Sequence, residues 1–514
     1  MIRNILYGLS LVCLLLTSSG CEDFLTTGSS TDMADTQILT SIPTLQMLLE
    51  GAYRKFYLVT DANSDFRGIY KGITGHQIID LMRAGDVLCQ ERMGGEQLTA
   101  YKYLAEATSA AGDADLMWVN MYNVINSSNL ILDNIDQVTG NENTRRHIKG
   151  QALAMRGYAY FQLIQYYQQT YIIAQNKPGV PLRLHVDDPY SLPRSTVKEV
   201  YDQILSDLTS AKSLLNGYER PATMGKHYID AAVTAGMLAR AYLVTQNWEN
   251  ARQEAEYVLA SYGALMNKEE WASFYQCSRH AEVVWAVYQS SEQNFGSTGQ
   301  YNMWYNYPLG EGSADRFYNY QNFFVNDKYV ELFEPTDDRY LFRQRSDDAT
   351  FAQNWVNAKM YDPGDGNGNS RGDYCLMRGS EMLLVKAEAE ANTGNISAAV
   401  ASLNTLQSAR NVSALSGATN KEELLEAIYV ERRKELQGEG VAGLLDLLRL
   451  QKPMIRKGDH FNFGMANLNT FSYKGETVQG FESNDYRMIF QVPDREIQLN
   501  EAINAADQNP FSGQ

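Results

Sequence analysis

The sequence is poor in residues and motifs that carry metal or catalytic chemistry. Its 514 residues include five cysteines and six histidines, and none of them falls at CxxC, HxH or HExxH spacing. The GxSxG, Walker and GxGxxG-plus-strand signatures are missing as well. These absences exclude the common zinc, nucleotide-binding and serine-hydrolase sites. Acidic pairs for glycoside hydrolysis stay open, because such carboxylates can be far apart in the sequence.

Cysteine is too scarce for a disulfide framework. Two of the five cysteines, Cys13 and Cys21, lie in or next to an N-terminal leader, which leaves Cys89, Cys277 and Cys375. Three cysteines can form one disulfide at most. We expect three buried, unreactive thiols instead.

Positive charge is in short supply. The chain has 44 lysines and arginines against 61 aspartates and glutamates, and its formal net charge is −17. Phosphate binding needs a basic field, so nucleic acid is excluded as a partner. Adsorption on an anionic lipid surface is disfavoured for the same reason. A neutral ligand fits this charge best.

The N-terminus lacks a hydrophobic run long enough to stay in a membrane as an anchor. The apolar core Ile5 to Leu16 follows the positive Arg3 and has the length of a signal-peptide core. Small residues then precede Cys21, a pattern that resembles a bacterial lipobox. We therefore predict a lipoprotein signal peptide over residues 1–20, lipidation of Cys21 (palmitate among the acyl chains) and an extended tether over 21–40. An ordinary signal peptide with an incidental cysteine is the alternative.

Helical periodicity dominates the rest of the sequence. Apolar residues recur at three- and four-residue spacing over about 41–261 and 378–449, which predicts amphipathic helices for about half the chain. No Pro/Ser-rich linker interrupts them, so we expect one mainly α domain over residues 41–514. The individual helical spans are 41–57, 115–135, a segment around Arg156, 196–215, 228–261 and the hairpin that starts at 378.

Two helical hairpins share one residue pattern. A small residue, a turn, a large apolar residue and a second small residue follow one another at the same offsets of nine and three. This pattern resembles the tetratricopeptide repeat (TPR), in which stacked helix pairs bury what one pair cannot. A chance pair of amphipathic hairpins is the alternative. The two sets are Ala239, Trp248 and Ala251, and Ala387, Ile396 and Ala399.

Two stretches, 282–374 and 453–490, lack the helical pattern. Apart from an apolar run at 283–288 that predicts a strand, we expect long irregular loops rich in aromatic residues. The densest part, 295–324, interleaves aromatic rings with amides, which suit the C–H faces and hydroxyl groups of sugars. Aromatic residues packed under a loop are the alternative. The predicted ligand contacts are Tyr301, Trp304, Tyr305 and Tyr307.

A charged string late in the chain carries a family resemblance. Glu431 to Leu436 reads ERRKEL, and Glu439-Gly440 and then Asp446 to Arg449 follow it. This order resembles the ER..EL..EG...DL.R signature of the SusD/RagB family, which comprises nutrient-capturing surface lipoproteins of Bacteroidetes. One departure is the lengthened stretch Tyr171 to Leu182, where we expect a reshaped loop. Further blocks that agree with the family, in order, are 149–161, 194–208 and 492–500.

The resemblance implies a SusD-like, TPR-like scaffold whose ligand face combines an N-terminal loop with the long central loop. It also implies that Arg83 or Asp80 binds ligand hydroxyl groups, with a structural salt bridge between the two as the alternative. The charged signature invites a catalytic interpretation, but ion pairs within and between helices explain its spacing better. We expect that structural role for Glu431, Arg432, Arg433 and Glu435.

The function implied by the resemblance is binding without catalysis. A lipid-anchored protein of the outer membrane, exposed at the cell surface, would capture oligosaccharides and pass them to a SusC-like TonB-dependent transporter. No cofactor is expected. Residues 362–373 match part of a calcium loop but lack its bidentate glutamate, so a Gly/Asn turn is the default interpretation. An oligopeptide cargo and a surface glycoside hydrolase are the alternatives.

Overall fold

The computed structural model describes most of the predicted helical scaffold and parts of the loops. The described residues are 39, 41–57, 72–89, 98–103, 112–222, 225–288, 323–344, 355–359, 372–416, 420–457 and 468–510. The predicted signal peptide, nearly all of the tether and much of the predicted ligand face lie outside these ranges. Within the ranges, no helix has both the length and the apolar character needed to cross a bilayer.

Helices build the N-terminal half of the described chain. Their starts follow from local chemistry, since the Asn141 side chain accepts a hydrogen bond from the Thr144 amide, and Thr196 and Glu199 form a reciprocal capping box. The helices predicted at 41–57, 115–135 and 196–215 are confirmed. The lengthened stretch after α5 contains a short helix, α6. The elements are α1 (Ile42–Tyr57), α2 (Gly72–Met82), α3 (Leu98–Tyr101), α4 (Gly112–Ile135), α5 (Glu142–Tyr167), α6 (Tyr171–Ala174) and α7 (Val197–Leu214).

Two antiparallel hairpins, α8–α9 and α12–α13, lead the second half. A helix of 15 residues, α14 (Lys421–Glu435), follows them and carries most of the charged residues of the signature. These elements are α8 (Ala231–Val244), α9 (Trp248–Tyr262), α10 (Lys268–Ala272), α11 (Asp327–Val330), α12 (Gly379–Asn392), α13 (Ile396–Ala409), α14 (Lys421–Glu435), α15 (Leu444–Arg449) and α16 (Asp494–Leu499).

The two hairpins are built alike and stack on each other. Gln246 and Gly394 occupy the same place in their turns, with left-handed φ angles of 57° and 86°, a backbone region that glycine enters most easily. Helix α9 also packs on α12, which joins the hairpins into one stack. The predicted TPR-like arrangement is therefore confirmed. The alanines of the repeated pattern, each 0% exposed, are Ala239, Ala251, Ala387 and Ala399.

Short antiparallel strands form three sheets among the described residues. Their orders are β1-β3-β5-β4, β2-β6 and β7-β9-β8. The strand predicted at 283–288 is confirmed as β2. The strands are β1 (Val87–Cys89), β2 (Val283–Val287), β3 (Phe323–Val325), β4 (Phe342–Gln344), β5 (Trp355–Asn357), β6 (Tyr374–Arg378), β7 (Met454–Arg456), β8 (Asn469–Tyr473) and β9 (Glu476–Phe481).

The sheet β7-β9-β8 differs from the irregular chain expected over 453–490. Strands β8 and β9 meet at Lys474-Gly475, whose φ angles of 49° and 84° suit a two-residue hairpin turn. Lys-Gly is not the Asn-Gly or Asp-Gly pair that marks such turns in a sequence. In strand β8, the half-buried Phe471 and Tyr473 alternate with polar residues, but the strand has only five residues and none of them is fully buried. Both usual signals of a hairpin are therefore weak here.

A buried ionic cluster joins α14 to β2, β6 and the chain between 337 and 359. Glu435 lies at its centre, with N–O distances of 2.5 to 2.8 Å to three arginines. Five carboxylates meet five cations in the cluster, which offsets the cost of burying each charge. Its members are Glu282, Asp337, Arg339, Lys359, Arg378, Arg410, Glu431, Lys434, Glu435 and Glu439.

The rest of the signature also forms ion pairs, as expected. Arg432 pairs with Asp446 at 2.9 Å, and Arg433 pairs with Asp86. These pairs and the ionic cluster connect different elements, whereas helix spacing had suggested pairs within one helix too. The signature therefore acts as a structural clamp between the helical stack and the short sheets.

Candidate functional site

Strand pairing brings the ends of the predicted ligand loops together. Cys89, the last residue of β1, faces Phe323, the first residue of β3. Facing residues of antiparallel strands have Cα atoms about 5 Å apart. The segment that follows Cys89 and the aromatic stretch that precedes Phe323 are therefore attached side by side.

The second sheet repeats this arrangement at the other end of the aromatic stretch. Val287, at the end of β2, faces Tyr374, at the start of β6. The chain enters the aromatic stretch shortly after Val287, and the segment 360–371 leads back to β6. Each end of the aromatic stretch is thus attached next to a second loop.

One hydrophobic cluster supports both sheets. It is formed by side chains of α2, α3, β1, β2, β6 and the turn Phe274–Arg279. Cys89, Cys277 and Cys375 lie in it as reduced thiols that are at most 2% exposed, so the prediction of three buried thiols is confirmed. Burial raises the pKa of the Cys89 thiol to about 12, which keeps it protonated at neutral pH.

A cavity of about 590 Å³ lies beside the end of β2. This volume is within the range of small-ligand sites, roughly 300–1,000 Å³. We call it the basic cavity. Tyr288, which lines it, is the last described residue before the aromatic stretch. The lining residues are Arg220, Pro221, Ala222, Gly225, Lys226, His227, Ser278, Arg279, Ala286 and Tyr288.

Arg220 forms one wall of the basic cavity and is held by the fold. Its Nε atom pairs with a carboxylate oxygen of Asp230 at 2.8 Å. Its two Nη atoms donate hydrogen bonds to the Val284 carbonyl, at 2.8 Å, and to the Tyr262 hydroxyl. The charge of Arg220 is therefore already balanced by Asp230.

The other two cations of the basic cavity, Lys226 and Arg279, contact no carboxylate within the described parts of the chain. Lys226 Nζ donates to the backbone carbonyl of His280, and Arg279 Nη1 donates to the side-chain oxygen of Gln276 at 2.9 Å. Burial and the nearby Arg220 lower the pKa of Lys226. The cavity therefore holds two cations whose hydrogen bonds go to neutral oxygens.

Two further lining residues set the polarity of the basic cavity. Burial lowers the pKa of His227 to about 4, so this imidazole is neutral at pH 7. Ser278 binds the carboxylate of Asp373 through its amide, at 3.1 Å, and its hydroxyl. The Asp373 carboxylate is thus bound to a lining residue, and no carboxylate belongs to the described lining itself. The cavity is positive at neutral pH.

Most residues predicted from the sequence as functional lie outside the described residues. The 362–371 part of the calcium-like segment lies outside them too. Within the described ranges, no three His, Cys, Asp or Glu side chains are grouped to hold a metal ion. The lipidation site and the aromatic contacts stay predictions; they are Cys21, Tyr301, Trp304, Tyr305 and Tyr307.

Asp80 is described, and it is 2% exposed at the C-terminal end of α2. Its carboxylate accepts hydrogen bonds from the amides of Gly443, at 3.0 Å, and Leu445, at 2.8 Å, where α15 starts. A side chain at position 443 would collide with it, since a Cβ there would lie 2.4 Å from its Oδ2 atom. Burial raises the pKa of Asp80 to about 7 in spite of these hydrogen bonds. Asp80 therefore links α2 to α15.

Arg83, just after α2, is fully buried. Its guanidinium lies 4.8 Å from the ring centroid of Tyr103 and 4.9 Å from that of Phe490. It also donates to the Arg487 carbonyl at 2.7 Å. The burial of both Asp80 and Arg83 favours a structural role over contact with a ligand. The two side chains bind other groups, however, and do not form the salt bridge that was the alternative to ligand binding.

Sequence reasoning missed the basic cavity altogether. Lys226 and Arg279 are far apart in the sequence and belong to no motif. The break in helical pattern around Pro221 is a local sign of a loop, but it does not indicate a site. Only the packing of that loop against β2 brings the two cations to one cavity.

Two family models match the chain. A SusD-like family described as starch-binding and associating with the outer membrane matches residues 84–243, and the SusD family matches residues 340–511. Together these spans cover more than half of the 514 residues. They include nearly all of α8, the hairpin α12–α13 and the charged signature, whereas α9 lies between the two spans.

Individual proteins agree with the family models. A SusD-like protein of Formosa agariphila is 23% identical over 394 residues, or 66% of this chain and 72% of that protein. The structure of a SusD-like carbohydrate binding protein of Bacteroides vulgatus is 27% identical in sequence, with a TM-score of 0.77. The match covers 92% of this chain and 99% of that protein. A SusD superfamily protein of Bacteroides thetaiotaomicron is 23% identical, with a TM-score of 0.72, and the match covers 92% of this chain and 100% of that protein. The chain therefore belongs to the SusD/RagB family of carbohydrate- and nutrient-binding proteins associated with the outer membrane.

Proposed function

We propose that this protein captures oligosaccharides at the cell surface and delivers them to a SusC-like TonB-dependent transporter. The aromatic stretch 295–324 supplies the ligand face. Its rings stack on sugar C–H faces while neighbouring amides bind hydroxyl groups. The contacts are Trp304, Tyr305, Tyr301 and Tyr307.

The pairing of the strand ends carries this proposal. Residues 89 and 323 face each other in one sheet, and residues 287 and 374 do so in the other. Both attachment points of the aromatic stretch are thereby next to other loops, which is what a composite ligand face needs. The similar Bacteroides vulgatus protein is described as carbohydrate binding.

Attachment to the outer membrane is through lipid on Cys21, and residues 21–40 serve as the tether. Several acyl chains on one cysteine anchor a protein firmly, whereas a single chain is marginal. Capture followed by transfer to the transporter needs only that the ligand prefers one conformational state over another.

Binding proceeds without catalysis in this proposal. Glycosidases pair a protonated carboxyl group of raised pKa with a second carboxylate about 5 to 9.5 Å away across the glycosidic bond. Burial alone would raise the pKa of Glu435, but Arg410 and Arg378 hold it well below its usual range. A carboxylate locked between arginines, at 0% exposure, serves the fold rather than a hydrolytic reaction.

A glycan array probed with the purified protein tests the function, followed by calorimetry on each glycan that binds. We expect binding to one class of oligosaccharide and no new reducing ends on long incubation. Release of reducing ends that a single Asp or Glu substitution abolishes would establish a glycoside hydrolase instead. Binding to a peptide library with no binding to glycans would select the oligopeptide cargo. Co-purification of a TonB-dependent barrel with the full-length lipidated chain tests the delivery step.

A further inference from the structure

The basic cavity differs from the ionic cluster in the partners of its cations. In the ionic cluster each cation lies close to a carboxylate, as Lys359 does to Glu439 at 2.5 Å and Lys434 to Asp337 at 2.9 Å. In the basic cavity, Lys226 is half-buried and Arg279 is exposed, and neither meets a carboxylate among the described residues. Among the described residues, these two charges therefore lack the carboxylate partner that each cation of the ionic cluster has.

Both cationic side chains line the same cavity. Lys226 Nζ is bound to the carbonyl of His280, the residue that follows Arg279. Burial and the nearby Arg220 disfavour the positive charge of Lys226, and an anion bound in the cavity would offset both effects. In a chain of net charge −17, such a pair attracts an anion only at short range, from within the cavity.

The rest of the lining suits a sugar. Pro221, Ala222 and Ala286 are apolar, and Tyr288 adds an aromatic ring with a hydroxyl group. An acidic sugar presents an anionic group, hydroxyl groups and an apolar C–H face. Each of these has a counterpart in the lining, and the volume of about 590 Å³ exceeds what a bare inorganic ion needs.

We propose that the basic cavity binds the anionic group of an acidic oligosaccharide, a uronate carboxylate or a sulfate ester, through Lys226 and Arg279. This proposal rests on the proposed function, because Tyr288 places the cavity at the root of the aromatic stretch that would hold the same glycan. It also replaces the expectation of a neutral ligand, which was based on net charge alone, since the local charge of the cavity is opposite to that of the whole chain.

Matched pairs of oligosaccharides separate the effect of charge on binding from the effect of sugar structure. Oligogalacturonide is compared with its methyl ester, and a sulfated galactan oligosaccharide with its desulfated form. We expect at least one charged probe to bind about tenfold or more tightly than its uncharged partner, because hydrogen bonds to ionised groups are the stronger ones. Raising the salt concentration should weaken the charged probe far more than the uncharged one. The carboxylate and sulfate arms show which anion is preferred.

Variants locate the effect. Lys226→Gln and Arg279→Gln should each weaken the charged probe about fivefold to tenfold and leave the uncharged probe within about twofold. The control is Lys198→Gln, which removes a positive charge from the exposed surface of α7, where Lys198 pairs with Asp202. It should change the binding of neither the charged nor the uncharged probe. Arg279 is exposed, so its variant tests the proposal even if loss of the Lys226 hydrogen bond lowers stability.

The outcomes distinguish this proposal from the proposed function. Equal binding of charged and uncharged partners, or charged binding unaffected by both cavity substitutions, overturns the anion site while glycan capture stands. Tighter binding of a glutamate oligopeptide than of every glycan overturns the sugar assignment. If no glycan binds, charged or neutral, either among the matched probes or on the array, both proposals are overturned.

Discussion

Replacing Glu435 by glutamine removes the central negative charge of the ionic cluster and keeps the shape of the side chain. The three arginines around it are at most 1% exposed, so water cannot replace the lost carboxylate. The cluster is left with five cations and four carboxylates. Removing one partner of a buried pair destabilises a protein by about 3–5 kcal/mol.

Scanning calorimetry measures the effect as a change in Tm. The entropy of unfolding is roughly 2.1 cal/mol/K per residue, or about 1 kcal/mol/K for a chain of 514 residues. A loss of about 3–5 kcal/mol therefore lowers Tm by about 3–5 °C. The control is Glu142→Gln, whose carboxylate is 72% exposed and pairs with Arg145 on the surface. Its Tm should stay within about 1 °C of the wild type, because exposed pairs contribute little.

A second variant tests whether charge balance is the cause. Arg410→Gln combined with Glu435→Gln restores equal numbers of cations and carboxylates, so the double variant should lose less stability than the two single losses added together. The reasoning would be refuted if Glu435→Gln melted at the same temperature as the Glu142→Gln control. It would also be refuted if the loss of stability in the double variant equalled the sum of the two single losses.

Three further predictions address the aromatic stretch, the anchor and pH. Trp304→Ala should weaken glycan binding by about 1–3 kcal/mol in calorimetry with little change in Tm; a large drop in Tm with intact affinity would make Trp304 a packing residue. Cys21→Ala should move the protein to soluble fractions with an unlipidated precursor, and membrane retention without the barrel would contradict this. Asp80 has a folded pKa of about 7, above its unfolded value, so its stabilisation is complete below about pH 4 and is lost as pH rises to 7. Urea unfolding should show wild type losing on the order of 3–4 kcal/mol relative to Asp80→Asn between those pH values, and a constant difference would contradict the raised pKa.

Local patterns were enough for the helical scaffold. Small and large residues repeated at fixed spacing predicted the two stacked hairpins, because residues three or four apart lie on the same face of a helix and pack against its neighbour. The turns at Gln246 and Gly394 follow from the same local code. Strand β8 escaped prediction because its alternation of polar and apolar residues spans only five residues, and its Lys474-Gly475 turn carries no strong signal.

By itself, then, the sequence determined the helices and their hairpins, since both depend on residues within one or two helical turns of each other. Residue patterns also indicated the stacking of the hairpins and the structural role of the charged signature, but the contacts involved join elements far apart in the chain. Tertiary structure decided the rest. The partners of Glu435 come from chain positions as distant as 339 and 378, and Asp80 is bound by the start of α15. The basic cavity exists only because the loop after α7 packs beside β2, and a cation's lack of a carboxylate partner is a property of that packing, which no residue pattern along the chain records.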